Sequence, residues 1–187
     1  MALALHELLA SVDQRKAQLD ANRPLAPGAV KSLREKLNLD WTHQSNAIEG
    51  NTLTLYETKA VLEDGITIQG KPLREHFEAV NHQNAIEAVE TLVEKNEAVT
   101  AWNIRGIHSL VLRIIKDKDA GRYRTENVVI TGAHHEPPSH WRLDEEMGLL
   151  ERWYSTDAQQ LHPIERAAQL HTRFVVIHPF SDGNGRP

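Results

Sequence analysis

Apolar residues recur every three or four positions along most of this chain, and prolines and glycines cut the pattern into helix-sized pieces. Leu5, Leu8, Leu9, Val12 and Leu19 predict a first helix, ended by Pro24 and Pro27-Gly28. A second helix is expected from about Val30, with Leu33, Leu37, Trp41 and Ile48 along one stripe and Gly50 as its stop. Thr54-Leu55-Tyr56-Glu57 has the form of a capping box, opening a short helix that Gly65 closes, and Ile66 to Gly70 reads as a loop or short strand. A long helix follows from Pro72 to about Asn96, with Phe77, Val80, Ala88 and Leu92 inward and Arg74, Glu75, Glu78, Glu87 and Glu90 on its solvated face. Thr100 caps the next, which turns Ile104, Ile107, Val111 and Ile114 to the core and ends in the charged turn Lys116-Asp117-Lys118-Asp119. Leu143, Met147, Leu150 and Trp153 mark another helix. Pro163 starts the last, with Ile164, Ala167, Ala168, His171 and Phe174 or Val175 facing inward.

One segment departs from helical spacing. Val128-Val129-Ile130-Thr131-Gly132 is β-rich, and Pro137-Pro138 closes it, which predicts a small hairpin on an otherwise helical protein. An exposed strand offers N–H and C=O groups to an extended peptide; a surface loop tied to the core by Val129 or Ile130 is the equal alternative. The expected fold is all-α, a helical bundle with one β-hairpin.

Composition changes this picture little. The 187 residues suit one domain with a sizeable core, and a hydrophobic fraction of 40% with 25% charged is that of a globular chain. A net charge of −5 gives no basic footprint, so nucleic acid is not an expected partner. No apolar run approaches a membrane span, the first residues lack a basic n-region, and cysteine is absent, so the expected setting is cytoplasmic, without a membrane.

The chemistry concentrates in His178-Pro179-Phe180-Ser181-Asp182-Gly183-Asn184-Gly185-Arg186-Pro187. Gly183 and Gly185 flank Asn184, so the backbone can adopt positive φ and turn its N–H groups inward as an anion nest, to which Arg186 adds a guanidinium fork. Asp182 is a hard oxygen ligand of the kind Mg²⁺ shares with phosphates, and His178 is the side chain able to accept a proton near neutrality. No Lys-Ser/Thr pair follows the glycines as a P-loop requires, and an EF-hand is not completed. His134, His135 and His140 lack an acidic partner at helical ligand spacing.

These residues resemble the signature of Fic domains, His-x-Phe-x-Asp/Glu-Gly-Asn-Gly-Arg-x-x-Arg, and match it from His178 to Arg186; its second arginine would follow Pro187, and the natural chain is expected to continue. Ser45-Asn46-Ala47-Ile48-Glu49-Gly50 similarly resembles the Ser/Thr-x-x-x-Glu-Gly/Asn inhibitory motif of the class whose inhibitory helix is N-terminal. Gly121-Arg122-Tyr123-Arg124, followed by Asn127-Val128, resembles the approach to the Fic flap. The resemblance runs from about Thr42 to Pro187, leaving residues 1–41 as N-terminal helices.

The resemblance implies transfer of AMP from ATP to a hydroxyl of a target protein, with Mg²⁺ as cofactor. His178 would be the base and Asp182 the metal ligand, while Gly183, Asn184, Gly185 and Arg186 would bind phosphates. Phe180 would anchor the loop, and Val129, Ile130, Thr131 and Gly132 would form the flap over nucleotide and target, spanning roughly residues 121–138. Ser45, Glu49 and Gly50 would form the inhibitory element, Glu49 obstructing the productive γ-phosphate pose. Within the family, removal of AMP and transfer of UMP, phosphocholine or phosphate are alternatives, and a homodimer is a further expectation. From a different class, an incomplete module that binds a partner through flap and N-terminal helices is the competing reading.

Overall fold

The computed structural model describes residues 5–130, 132 and 135–185. Two packed groups of helices make up its body. In the first, α4 (Leu73–Glu94) lies between α2 (Pro27–Ile48) and α5 (Ala101–Leu112); in the second, α6 (Leu143–Ser155) packs on α7 (Pro163–Ile177), and α5 joins the two. The short α3 (Leu55–Lys59) and the single π-helical turn Ala60–Asp64 brace α2 and α4. No described helix is long and apolar enough to cross a membrane.

Local chemistry sets the helix ends. Thr54 accepts from the Glu57 N–H while the Glu57 carboxylate accepts from the Thr54 N–H, so the expected capping box opens α3, and Gly65 at φ +65° closes the π turn. Thr100 caps α5 by accepting from the Asn103 N–H at 3.1 Å. α5 stops at Leu112, earlier than its apolar spacing suggests. Ile114 is left-handed at φ +67°, with its N–H on the Asp117 carboxylate, and its side chain is exposed.

Apolar burial is split among small clusters. Leu143, Met147 and Leu150 of α6 meet Phe174, Ile177 and Phe180. Leu53, Val61 and Ala79 form a second cluster, and Ala85 with Val111 and Leu112 a third.

The interface of α2 with α4 departs from the sequence pattern. Leu33, Leu37, Trp41 and Ile48 are exposed, and the buried residues of α2 are Thr42 and Asn46. α4 answers with a polar face in which His76, Glu78, Asn81 and His82 are buried beside Ala79, Ala85 and Ile86. Glu78, expected in solvent, is only 7% exposed because it is bracketed by Arg74 Nε at 3.0 Å and Asn51 Nδ2 at 3.0 Å. Asn46 Nδ2 reaches the carbonyls of Thr42 and Glu78, and His82 Nδ1 lies 3.3 Å from Thr42 Oγ1. A hydrogen-bonded seam, rather than an apolar stripe, holds α2 on α4.

Two further expectations change. α1 (Leu5–Asp20) fully buries no residue, and on α7 it is Phe174 and Ile177 that are buried while Ile164, Ala167, Ala168 and His171 stay exposed. Among the described residues there is no strand: 122–124 and 127–130 lack regular structure, with Val128 and Ile130 half-buried and Val129 exposed.

Candidate active site

α7 delivers the glycine-rich loop. His178 terminates the helix in the left-handed region at φ 50°, ψ 59°, with its N–H on the Phe174 carbonyl, so the chain reverses at the imidazole itself. A non-glycine residue holds such a conformation only where the surroundings fix it. Here the next residues do so: Pro179 and Phe180 are buried, and the Phe180 ring stacks on the His108 imidazole at 3.6 Å between centroids and 2° between planes. Phe180 is the plug that ties the loop to the core.

The loop is then closed by its own side chains. Asn184 accepts from the Phe180 N–H at 2.9 Å and donates to the Phe180 carbonyl at 2.8 Å, so both ends of its amide are committed to loop structure. Asp182 Oδ1 accepts from the Gly183 N–H at 2.7 Å. Gly183 is left-handed at φ +75°, as expected, whereas Gly185 does not have positive φ. A Cβ on Gly185 would meet Glu49 Oε1, the far end of an exposed and flexible side chain, so what the contact shows is how close that carboxylate comes to the loop backbone.

That proximity brings the two distant motifs together. Glu49 caps the C-terminus of α2, where Gly50 at φ +94° ends the helix, and its carboxylate lies against Gly185. Glu49, Val175, His178, Ser181, Asp182, Gly183, Asn184 and Gly185 line one pocket of about 330 Å³. Burial lowers the pKa of His178 below the ordinary histidine value; the Val175 carbonyl opposes this, Arg124 adds to it, and Glu49 opposes it least. The imidazole is therefore neutral, and a proton acceptor, at neutral pH. Its Nδ1 is buried without a hydrogen-bond partner among the described residues.

Four residues support the loop from elsewhere in the chain. His108 is fully buried, and the Gly121 N–H donates to its Nδ1 at 3.0 Å. That bond makes Nε2 the protonated nitrogen, which donates to the Asp182 carbonyl at 2.9 Å. Arg124 is buried too: its guanidinium donates to the carbonyls of His178, Glu126 and Pro138, and its own N–H donates to the Pro179 carbonyl. Lys116 Nζ lies 2.7 Å from Asp182 Oδ2, and Arg74 Nη2 lies 3.6 Å from the same oxygen. Lys116 and Arg74 read in sequence as surface charge, and His108 shares a helix face with apolar residues, so none carries a periodic signal.

Arg124 yields a prediction for stability. Arg124→Ala removes the donors from three carbonyls, at a cost of about 1–3 kcal/mol for a group left buried and unpaired, and about 3 kcal/mol is expected in all. Arg124→Lys keeps charge but not the fork and should recover only part of that loss in urea unfolding.

Of the remaining sequence-predicted positions, Ser45 is half-buried one helical turn before Glu49, and Gly132 is exposed at φ +81°. Thr131, His134 and Arg186 lie outside the described residues. His135 and His140 lie apart, on the Val176 carbonyl and Asn127 respectively. Among the described residues no three His, Cys, Asp or Glu side chains gather as a metal cage.

Comparison with known proteins bears on the family of the chain. The sequence pattern of the Fic/DOC family matches residues 98–186. The chain is 37% identical over 182 residues to protein adenylyltransferase Fic of Nematostella vectensis, covering 96% of this chain and 42% of that protein. With protein adenylyltransferase Fic of Aedes aegypti it shares 36% identity over 160 residues, 84% of this chain and 32% of the other. It thus spans less than half the length of these relatives. Among solved structures, Fic-1 of C. elegans superposes with a TM-score of 0.85 at 31% identity, over 97% of this chain and 53% of that one. A Fic domain containing signaling protein of Bacteroides thetaiotaomicron also gives 0.85, at 32% identity, over 94% of this chain and 68% of that one. Shared fold and shared sequence extend over nearly the whole chain, through α2 and the glycine-rich loop alike, and the chain belongs to the Fic family.

Proposed function

We propose that this chain holds the catalytic site of a protein adenylyltransferase, moving AMP from ATP to a hydroxyl side chain of a protein target. The observation that carries the proposal is the single pocket shared by His178, Asp182, the Gly183 to Gly185 backbone and Glu49. The naming of relatives from Nematostella vectensis and Aedes aegypti as protein adenylyltransferases supports the choice of reaction.

In this reading His178 Nε2 takes the proton of the incoming hydroxyl, whose oxygen then attacks the α-phosphorus. The new oxygen–phosphorus bond forms as the bond to the bridging oxygen breaks, and diphosphate departs. The Gly183-Asn184-Gly185 turn, with Arg186, holds the phosphate oxygens, chiefly through the main-chain N–H groups that follow Gly183, whose own N–H is on Asp182 Oδ1; the Asn184 amide keeps the turn in shape for them. Asp182 suits Mg²⁺, since a lone carboxylate beside an anion site matches an ion that retains waters and takes its other ligands from phosphates. When bound, Mg²⁺ would neutralise charge on the departing diphosphate.

Glu49 is the brake in this proposal. Its carboxylate rests where phosphate must approach Gly185, Ser45 stands one helical turn before it on the same face, and Gly50 lets α2 end there. The segment holding Val129, Ile130, Thr131 and Gly132 serves as the flap, offering main-chain N–H and C=O groups to the target's extended backbone. A cytoplasmic setting, to which the absence of cysteine is suited, completes the reading.

The direct test follows isotopic label in the Glu49→Gly chain. Label from the α-phosphate of ATP should become protein-bound, and label from the γ-phosphate should not. Transfer of γ-label would replace adenylylation by phosphorylation, and protein-bound label from neither would leave a nucleotide-binding module.

A further inference from the structure

Asp182 presents its two oxygens differently. Oδ1 is taken up inside the loop by the Gly183 N–H, while Oδ2 points outward to Lys116 Nζ at 2.7 Å and Arg74 Nη2 at 3.6 Å. The outward oxygen is the one a metal would approach, and an ammonium already stands on it. A divalent ion and an ammonium on one carboxylate oxygen repel each other strongly, so they compete for it.

The two cations are not equally free to leave. Arg74 is also bonded through Nε to the buried Glu78, which fixes its guanidinium at the side of the site. Lys116 lies in the turn after α5, anchored by its N–H on the Leu112 carbonyl, with a side chain 41% exposed against 52% for Arg74, so the Glu78 bond and not exposure separates the two cations. Its ammonium can return to water with little loss, because an ion pair this exposed contributes little.

We infer that Lys116 is a stand-in for the metal: it holds Asp182 Oδ2 in the metal-free chain and gives it up to a divalent cation. This rests on the reading of Asp182 as a metal ligand. Lys116 is a positioning residue under this inference, and it also explains how one pocket tolerates two carboxylates, Glu49 and Asp182, before any metal arrives. Removing it should act in opposite directions on two ligands. The metal loses a competitor and binds more tightly; metal-free ATP loses a neutralising charge and binds more weakly.

The test measures Mn²⁺ binding to the 187-residue chain by electron paramagnetic resonance of the free ion, and ATP binding in EDTA by calorimetry. Lys116→Met should tighten Mn²⁺ about two- to fivefold, the range open to an exposed ion pair, and weaken metal-free ATP by a similar factor. Lys116→Arg should stay near wild type in both, and Lys118→Met, one residue beyond Asp117 in the same charged turn, should change Mn²⁺ binding less than Lys116→Met does. Asp182→Asn should lose the Mn²⁺ site. If Asp182→Asn abolishes binding but Lys116→Met leaves it unchanged or weaker, the stand-in role is wrong and the metal-ligand reading stands. An equal gain in Lys118→Met makes the effect one of bulk charge and also overturns the inference. If Asp182→Asn binds Mn²⁺ as well as wild type, the metal-ligand reading fails, and the stand-in role with it.

Discussion

Replacing Glu49 with glycine should raise Mg-ATP-dependent self-modification roughly ten- to a hundredfold. The expectation follows from where the carboxylate stands. A Cβ on Gly185 would strike Glu49 Oε1, so a phosphate laid on the Gly183 to Gly185 backbone meets a negative charge at the same place. Two unit charges about 4 Å apart at an effective dielectric near 20 interact by about 4 kcal/mol. Glu49 is exposed, so only a third to two-thirds of that value is carried forward, equivalent to about ten- to a hundredfold in rate. Glu49→Gln, which keeps bulk and removes charge, should give an intermediate gain. Equal rates in wild type, Gln and Gly variants would remove Glu49 from the account.

The largest loss is expected from His178→Ala in the Glu49→Gly background. General-base catalysis is worth about 10²–10⁴-fold, and transfer should fall within that range. ATP affinity should change far less, because the phosphates rest on the glycine turn rather than on the imidazole. The pH profile carries the same information. Burial lowers the His178 pKa, so the base form persists below pH 6.5, and the acid limb of transfer should fall at a pH lower than an exposed histidine would give. In stability the sign is the same. The unfolded chain binds this proton more readily, so His178 begins to disfavour the folded state only as pH drops below 6.5. An acid limb at or above 6.5 would deny the imidazole its buried role.

How much of this was legible in the sequence depends on distance along the chain. The loop from His178 to Gly185 was legible because its chemistry is contiguous, and the capping box at Thr54 and Glu57 because caps are local. Glu49 and the loop were joined by family resemblance, not by spacing. His108, Arg124 and Lys116 act across separations of 74, 54 and 66 residues, and pairings so remote leave no periodic trace. The polar α2 and α4 seam inverted the hydrophobic rule. Burial there is governed by hydrogen bonding among Thr42, Asn46, Asn51 and Glu78, and the apolar stripe from Leu33 to Ile48 stays exposed. Gly185 shows a smaller version of the same lesson: glycine suggested positive φ, but the residue does not adopt it, and what distinguishes its surroundings is the Glu49 carboxylate beside its backbone.

The central claim is that Glu49 restrains, and His178 drives, transfer of AMP from one shared pocket. Intact mass after incubation with Mg-ATP tests it most directly, on wild type, Glu49→Gly, and Glu49→Gly with His178→Ala. The account predicts an AMP-sized gain in Glu49→Gly, little in wild type, and none in the double variant. An equal gain in the double variant, or no gain in Glu49→Gly, would contradict it.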